Sequence, residues 1–344
     1  VRGAVLLAVG CCLLVGASGG GASAAQPPRG EIRGVVVDGT RPVRPLPGQL
    51  VRLEVVERGA TSEQQRRAGP RGEVRFAGLP LGGVRVFLLR TDYRGVAYTS
   101  DRIVLTPRAP VRSVVLRVYE PTSDQRAVRS LLLFSLLEAA RGTVRVSTVE
   151  RFENPTDRAV VTAQTPLVFP LPEGARDVVF LAGWRDPRLV GTRIEDTPVL
   201  LPGVHQVSYS YEVTARGGVA EVPWRLPYGA REVDVLAAAS GVRLAVLGLR
   251  RVEDVTAEGR RFQRWSGGPV LPGGRVVVRI AGVPPGRSAW PAGLAAVLGG
   301  LLAAGLLGGL ARSRGRRARG GEGAGGVEAH IPASCPSSPT ESVG

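Results

Sequence analysis

Between Gly30 and Val118 apolar and polar residues alternate with a period of two. In Val51-Arg52-Leu53-Glu54-Val55 the apolar side chains point one way and the charged ones the other, and Val74-Arg75-Phe76 and Val84-Arg85-Val86-Phe87-Leu88 repeat the pattern. Turn-forming residues separate these runs at Asp38-Gly39, Pro47-Gly48, Gly69-Pro70-Arg71-Gly72 and Gly82-Gly83. Short alternating strands punctuated in this way predict a β-sandwich with one buried face per sheet. The first folded domain is assigned to 30–119.

From Glu120 to Pro285 the chain is again strand-like. Leu171-Pro172-Glu173-Gly174-Ala175-Arg176-Asp177-Val178 is echoed by Leu226-Pro227-Tyr228-Gly229-Ala230-Arg231-Glu232-Val233. Pro198-Val199-Leu200-Leu201-Pro202-Gly203 is echoed by Pro269-Val270-Leu271-Pro272-Gly273. Two echoes in the same order point to a duplicated unit, although Pro-Gly turns between strands also resemble one another generically. The division is a β-sandwich at 120–214 and a smaller unit at 215–285 packed on it. Leu131 to Ala140 has helix-forming composition. Arg141-Gly142 followed by Val144-Arg145-Val146 reads as the turn and return arm of a hairpin, so a strand is expected there.

The two ends differ from this middle. Arg2, an uncharged apolar run from Ala4 to Gly16, and small residues to Ala25 have the order of a secretory signal peptide, assigned to 1–25. Cys11 admits a lipoprotein reading, but apolar residues follow it where a polar tether is expected. No charge occurs between Arg287 and Arg312. A helix over 289–311 is long enough for a hydrocarbon core of about 30 Å. Trp290 stands at its entry, and Arg312, Arg314, Arg316, Arg317 and Arg319 follow it. Interfacial indoles and positive flanks on the cytoplasmic side predict one span with its N-terminal domains outside. Ala296, Gly300, Ala304 and Gly308 make one face of the span small, which suits a partner helix or a second copy of this chain. The tail 312–344 is expected to be basic, then disordered, and cytoplasmic.

Composition narrows the chemistry. All 45 basic residues are Arg, and there are 2 His and 3 Cys. Cys11 and Cys12 lie in the signal and Cys335 in the tail, so the exported portion has no disulfide and no cysteine-based metal or haem site. His205 is its only His, and no partner ligand or nucleophile motif lies near it in sequence. No cofactor and no enzyme activity are expected, with a carboxylate-based hydrolase as the remaining enzymatic option. The exported part carries 39 Arg against 26 acidic residues. Such a surface favours anionic partners, namely lipid headgroups, acidic glycans or an acidic protein, with nucleic acid not expected on that side of the membrane. Trp184 and Arg185 form the candidate contact site. An exposed indole beside a guanidinium stacks on a sugar or docks a partner, whereas a core Trp caps the sandwich end.

Three stretches in the first domain carry a resemblance to a known family. They are Gly34-Val35-Val36-Val37-Asp38, Pro45-Leu46-Pro47-Gly48-Gln49-Leu50-Val51-Arg52-Leu53 and Gly72-Glu73-Val74-Arg75-Phe76-Ala77-Gly78-Leu79-Pro80-Leu81-Gly82. Together they resemble the carboxypeptidase-regulatory-like (transthyretin-like) domain of bacteria. The resemblance covers about a quarter of the chain and implies a seven-stranded accessory or binding sandwich, not a peptidase. Where that family often has Thr-Asp before its Gly-x-Phe strand, this chain has Gly69-Pro70. The expected fold is therefore all-β, tandem immunoglobulin-like or prealbumin-like sandwiches followed by one transmembrane helix. The expected function is a non-enzymatic, membrane-anchored scaffold that presents these domains to an envelope partner. The alternative is a carbohydrate- or polyanion-binding module.

Overall fold

The computed structural model describes residues 29–286 other than 239, 240 and 258. The expected signal run, the expected span with Trp290 and its row of small residues, and the arginines at 312–319 lie outside the described residues. Among the described residues the fold is all-β, with several sheets, and no helix is long and apolar enough to cross a membrane. The chain divides into two compact units with the boundary between Val118 and Tyr119.

The first unit contains β1 (Arg29–Asp38), β2 (Arg44–Pro45), β3 (Leu50–Glu57), β4 (Ala60–Arg67), β5 (Glu73–Pro80), β6 (Arg85–Tyr93), β7 (Val96–Thr99) and β8 (Val111–Val118). One sheet places β1 between β8, which runs parallel to it, and β5 and β2, which run antiparallel. The other has the order β4-β3-β6-β7. Alternate residues of both sheets form the buried core: Ile32, Val36 and Phe76 from one, Val51, Leu53, Phe87 and Leu89 from the other. This arrangement is consistent with a β-sandwich, and it follows from the period-two pattern, because each strand has one apolar face to remove from water. The β4–β5 turn is closed by the Gly72 N–H donating to Gly69 O at 2.9 Å. Gly72 has φ +75°, and a Cβ there would lie 2.3 Å from Val36 O. Gly72→Ala should therefore destabilise the unit by more than about 1 kcal/mol, through both the left-handed backbone and the backbone clash; a denaturant midpoint equal to that of the parent would contradict this.

The second unit begins with β9 (Pro121–Thr122), β10 (Arg129–Ala140), β11 (Thr143–Asn154), β12 (Ala159–Val161), β13 (Leu167–Pro170) and β14 (Arg176–Ala182). It continues through β15 (Arg188–Val190), β16 (Arg193–Asp196), β17 (Val199–Leu200), β18 (Gly203–Thr214) and β19 (Val219–Leu226). It ends with β20 (Glu232–Ala238), β21 (Arg243–Leu247), β22 (Arg250–Ala257), β23 (Arg260–Gly267) and β24 (Gly274–Ala281). Its centre is a seven-stranded sheet of order β14-β18-β11-β10-β20-β23-β22. Residues 131–140 are strand, and β10 and β11 form the predicted hairpin. Smaller sheets, including β19-β24-β21, share a large core with one face of the seven-stranded sheet.

The division expected at 214/215 is crossed by this sheet. β20 pairs in parallel with β10, so strands from both halves share one hydrogen-bonded ladder. The echoed motifs are real turns: Gly174 and Gly229 both have positive φ, and each copy feeds a strand of this same sheet, β14 or β20. Past the second echo the copies diverge. β18 joins the seven-stranded sheet, whereas β24 joins the three-stranded one. The physical reason is that β10 needs a neighbour on the side away from β11, and β20 provides it.

The other face of the seven-stranded sheet also carries apolar side chains, Leu132, Phe134, Leu136, Val149, Leu236 and Phe262. Ion pairs surround them: Arg264–Asp234 at 2.8 Å, Arg145–Glu212 at 2.8 Å and Arg260–Glu138 at 3.4 Å. The carboxylates of these pairs are buried, so each guanidinium offsets a desolvated charge.

Candidate functional site

Trp184 follows Gly183, whose φ of +83° brings the chain so close to Gln206 O that a Cβ would lie 1.8 Å from it. That close approach turns the indole onto the second unit. The ring is half-buried, edge-on to Phe169 at 5.2 Å, Phe180 at 5.6 Å and Tyr209 at 5.8 Å. Its N–H donates to Ser208 O at 2.7 Å. The ring and its donor are thus engaged within the unit, and of the two sequence candidates Arg185 alone stands fully at the surface. His205 is partly buried, stacked on Phe152 at 6.0 Å, with Nε2 2.7 Å from Leu201 O. Among the described residues, no group of three or more His, Cys, Asp or Glu is placed to hold a metal ion.

One buried carboxyl went unmarked in the sequence. Glu150 lies on β11 opposite Leu133 and is only 6% exposed. It lines a small cavity with Tyr209, Trp224, Phe169 and Leu133, with room for about one water molecule. Burial pushes its carboxyl up from 4.5 to about 7, with the Ser130 hydroxyl pulling the other way. Burial likewise raises Tyr209, and the nearby Glu150 charge adds to this. One isolated carboxyl in an aromatic pocket supplies neither an acid–base pair nor a nucleophile with its base.

The first unit carries an accessible cluster of charge. A groove of about 730 Å³ follows β5 and the end of β4, and it is lined by Arg33, Arg66, Arg67 and Arg75 with Glu31 and Glu73. The register places Arg33 directly opposite Arg75 across the β1–β5 ladder. Like charges in that position repel. Glu31 bridges them, accepting from Arg33 Nε and from Arg75 Nη2, each at 2.6 Å. Arg75, then Arg33, hold the Glu31 carboxyl down at about 2, and Glu31 in turn raises Arg75. One carboxylate is therefore shared by two guanidinia. Glu73 is turned to the backbone, accepting from the Arg71 N–H at 2.7 Å. Arg66 and Arg67 reach backbone carbonyls, Gln65 O at 3.0 Å and Gly48 O at 3.2 Å. These hydrogen bonds position the guanidinia without neutralising them, so the groove holds more positive than negative charge. A second groove, beside β21–β23, is lined by Arg243, Arg251 and Arg261 with Asp254 and also holds more positive than negative charge, Arg251 and Arg261 both pairing to Asp254.

The predicted contact site and the groove are thus different places. An excess of Arg was visible in the composition, but its concentration here arises from the register of β1 with β5 and from the turn that brings β4 beside them. In comparisons with known proteins, no family model matches this chain and no curated protein matches it.

Proposed function

We propose that this protein is a non-enzymatic, membrane-anchored binding protein whose folded units stand outside the cytoplasm and hold an acidic partner at the membrane. In this reading residues 1–25 direct export, 289–311 span the bilayer and the arginines at 312–319 keep the tail inside. The first unit is read as a carboxypeptidase-regulatory-like sandwich of the prealbumin type, and the second as immunoglobulin-like. The observation that carries the binding role is the open groove where Arg33, Arg66, Arg67 and Arg75 outnumber the carboxylates that face them. Tethering raises the local concentration of whatever the groove holds, so modest affinity suffices. A carbohydrate-binding module centred on Trp184 and Arg185 has less support, since the indole N–H is used internally.

Two measurements test this. Deleting 288–344 should release a folded, soluble ectodomain, measured by fractionation and circular dichroism; a product that stays with the membrane contradicts the anchor. Crosslinking from the groove in intact cells, followed by mass spectrometry, should capture an acidic envelope component. Equal capture by a variant with Arg33, Arg66, Arg67 and Arg75 all changed to Gln would remove the groove from the function.

A further inference from the structure

The groove lies beside an unfilled strand position. β3 and β4 are joined by a two-residue turn, Arg58-Gly59, and pair with the register Val51↔Arg66 and Leu53↔Gln64. Arg66, Gln64 and Ser62 therefore project from the same face as Val51 and Leu53, the face that is buried in β3. Yet all eight residues of β4 are exposed. The opposing sheet thus stops one strand short. It ends at β5, which among the described residues pairs with β1 alone, while β4 overhangs the vacant place.

The backbone of β5 is presented to that place. Val36 N–H donates to Gly72 O at 2.8 Å, so these opposite residues form a hydrogen-bonded pair. By the alternation of an antiparallel ladder, 34 with 74 and 32 with 76 are hydrogen-bonded pairs too, and Glu73, Arg75 and Ala77 turn their N–H and C=O groups away from β1. Glu73 O bears this out by accepting from Gly69 N–H at 2.8 Å, on the side away from β1. Arg75 and Ala77 are both exposed. Unpaired donors and acceptors on an open edge are a template for another strand.

We propose that this edge receives an extended acidic polypeptide segment, which adds as a strand beside β5 and places carboxylates against Arg75 on one face and Arg66 on the other. The inference rests on the binding role proposed above and names the chemistry of the partner at the same groove. An added strand sends successive side chains to opposite faces, so it meets Arg75 and Arg33 on the outer side and Arg66 under the overhang. A polypeptide is favoured over an acidic glycan because the open edge offers both N–H and C=O groups in strand geometry, and only another backbone matches that alternation.

The probe is a synthetic peptide of about ten residues, the length of a long strand, repeating Glu-Glu-Thr-Thr so that carboxylates fall on both faces, and carrying a fluorophore. It is titrated by anisotropy against the full chain in detergent micelles. Two controls carry matched charge: the same peptide with Pro at every Thr, and a sulfated oligosaccharide. Ala77→Pro removes an outward N–H while sparing the ladder to β1, a placement that edge strands tolerate. The expected result is peptide binding that weakens at least tenfold with the Pro peptide, with Ala77→Pro and with Arg66→Gln/Arg75→Gln. Hydrogen exchange on the parent chain should show Arg75 and Ala77 amides becoming protected when peptide binds, a readout that does not depend on a variant folding. If the Pro peptide or the oligosaccharide binds as tightly as the Glu-Thr peptide, and those amides stay unprotected, strand addition is overturned while anion binding at the groove stands. If no anionic probe binds, the groove has no part in binding and both conclusions fall.

Discussion

Exchanging Glu150 for Gln should flatten the pH dependence of stability and make the second unit more stable above neutrality. The folded carboxyl titrates at about 7 because burial among Tyr209, Trp224 and Phe169 disfavours its charge, whereas an ordinary one titrates at 4.5. The folded state therefore holds this proton more tightly than the unfolded state. The contribution is fully present below about pH 4.5, and it is lost as the pH rises through 7. The displacement corresponds to about 3 kcal/mol. Carboxylates whose values are lowered, such as Glu31, act in the opposite direction, so the informative quantity is the difference between parent and variant. In denaturant titrations from acid to mildly alkaline pH, that difference should change by roughly this amount. Parallel profiles would show that Glu150 is not buried as described.

Replacing Trp224 by Ala should be the most damaging single change in the second unit, at about 3–5 kcal/mol. The indole is 3% exposed, between β19 and the seven-stranded sheet, and its N–H donates to the Tyr211 hydroxyl at 2.8 Å. Truncation leaves a cavity in the shared core and deprives a buried hydroxyl of its partner. Trp224→Phe keeps most of the volume and loses the hydrogen bond, so about 1–2 kcal/mol is expected. Thermal unfolding that reports the two units separately should show the loss in the second unit alone. An equal fall in both would mean that they unfold as one.

The first unit was the more legible because each of its strands buries one face. Ile32 and Val36 alternate with exposed Arg33 and Val35, and the pattern can be read from side chains alone. The second unit was less so. β10 is buried on both faces along most of its length, so Leu131 to Leu137 shows no alternation and its composition favours helix; only the turn at Arg141-Gly142 marked it as half of a hairpin. The sequence around Trp184 admits either a core cap or a free ring, and the ring lies half-buried against three aromatics. Glu150 carries no mark in the sequence, because a carboxylate between Val149 and Arg151 reads as a solvent-facing strand residue.

The groove shows the same limit. Glu31, Arg33 and Arg75 are individually unremarkable in a chain with 45 Arg. They become a site because β1 and β5 pair in one register, and because β4 overhangs a sheet that ends too soon. The sequence by itself determined where strands run, where they turn and which side of each seeks burial. These are local properties, carried by side-chain period and by residues such as Gly72 that accept a particular backbone. Only the tertiary structure decided which strands became neighbours, which edge stayed open and which carboxyl was buried, because a pairing partner dozens of residues away leaves no imprint on the local pattern.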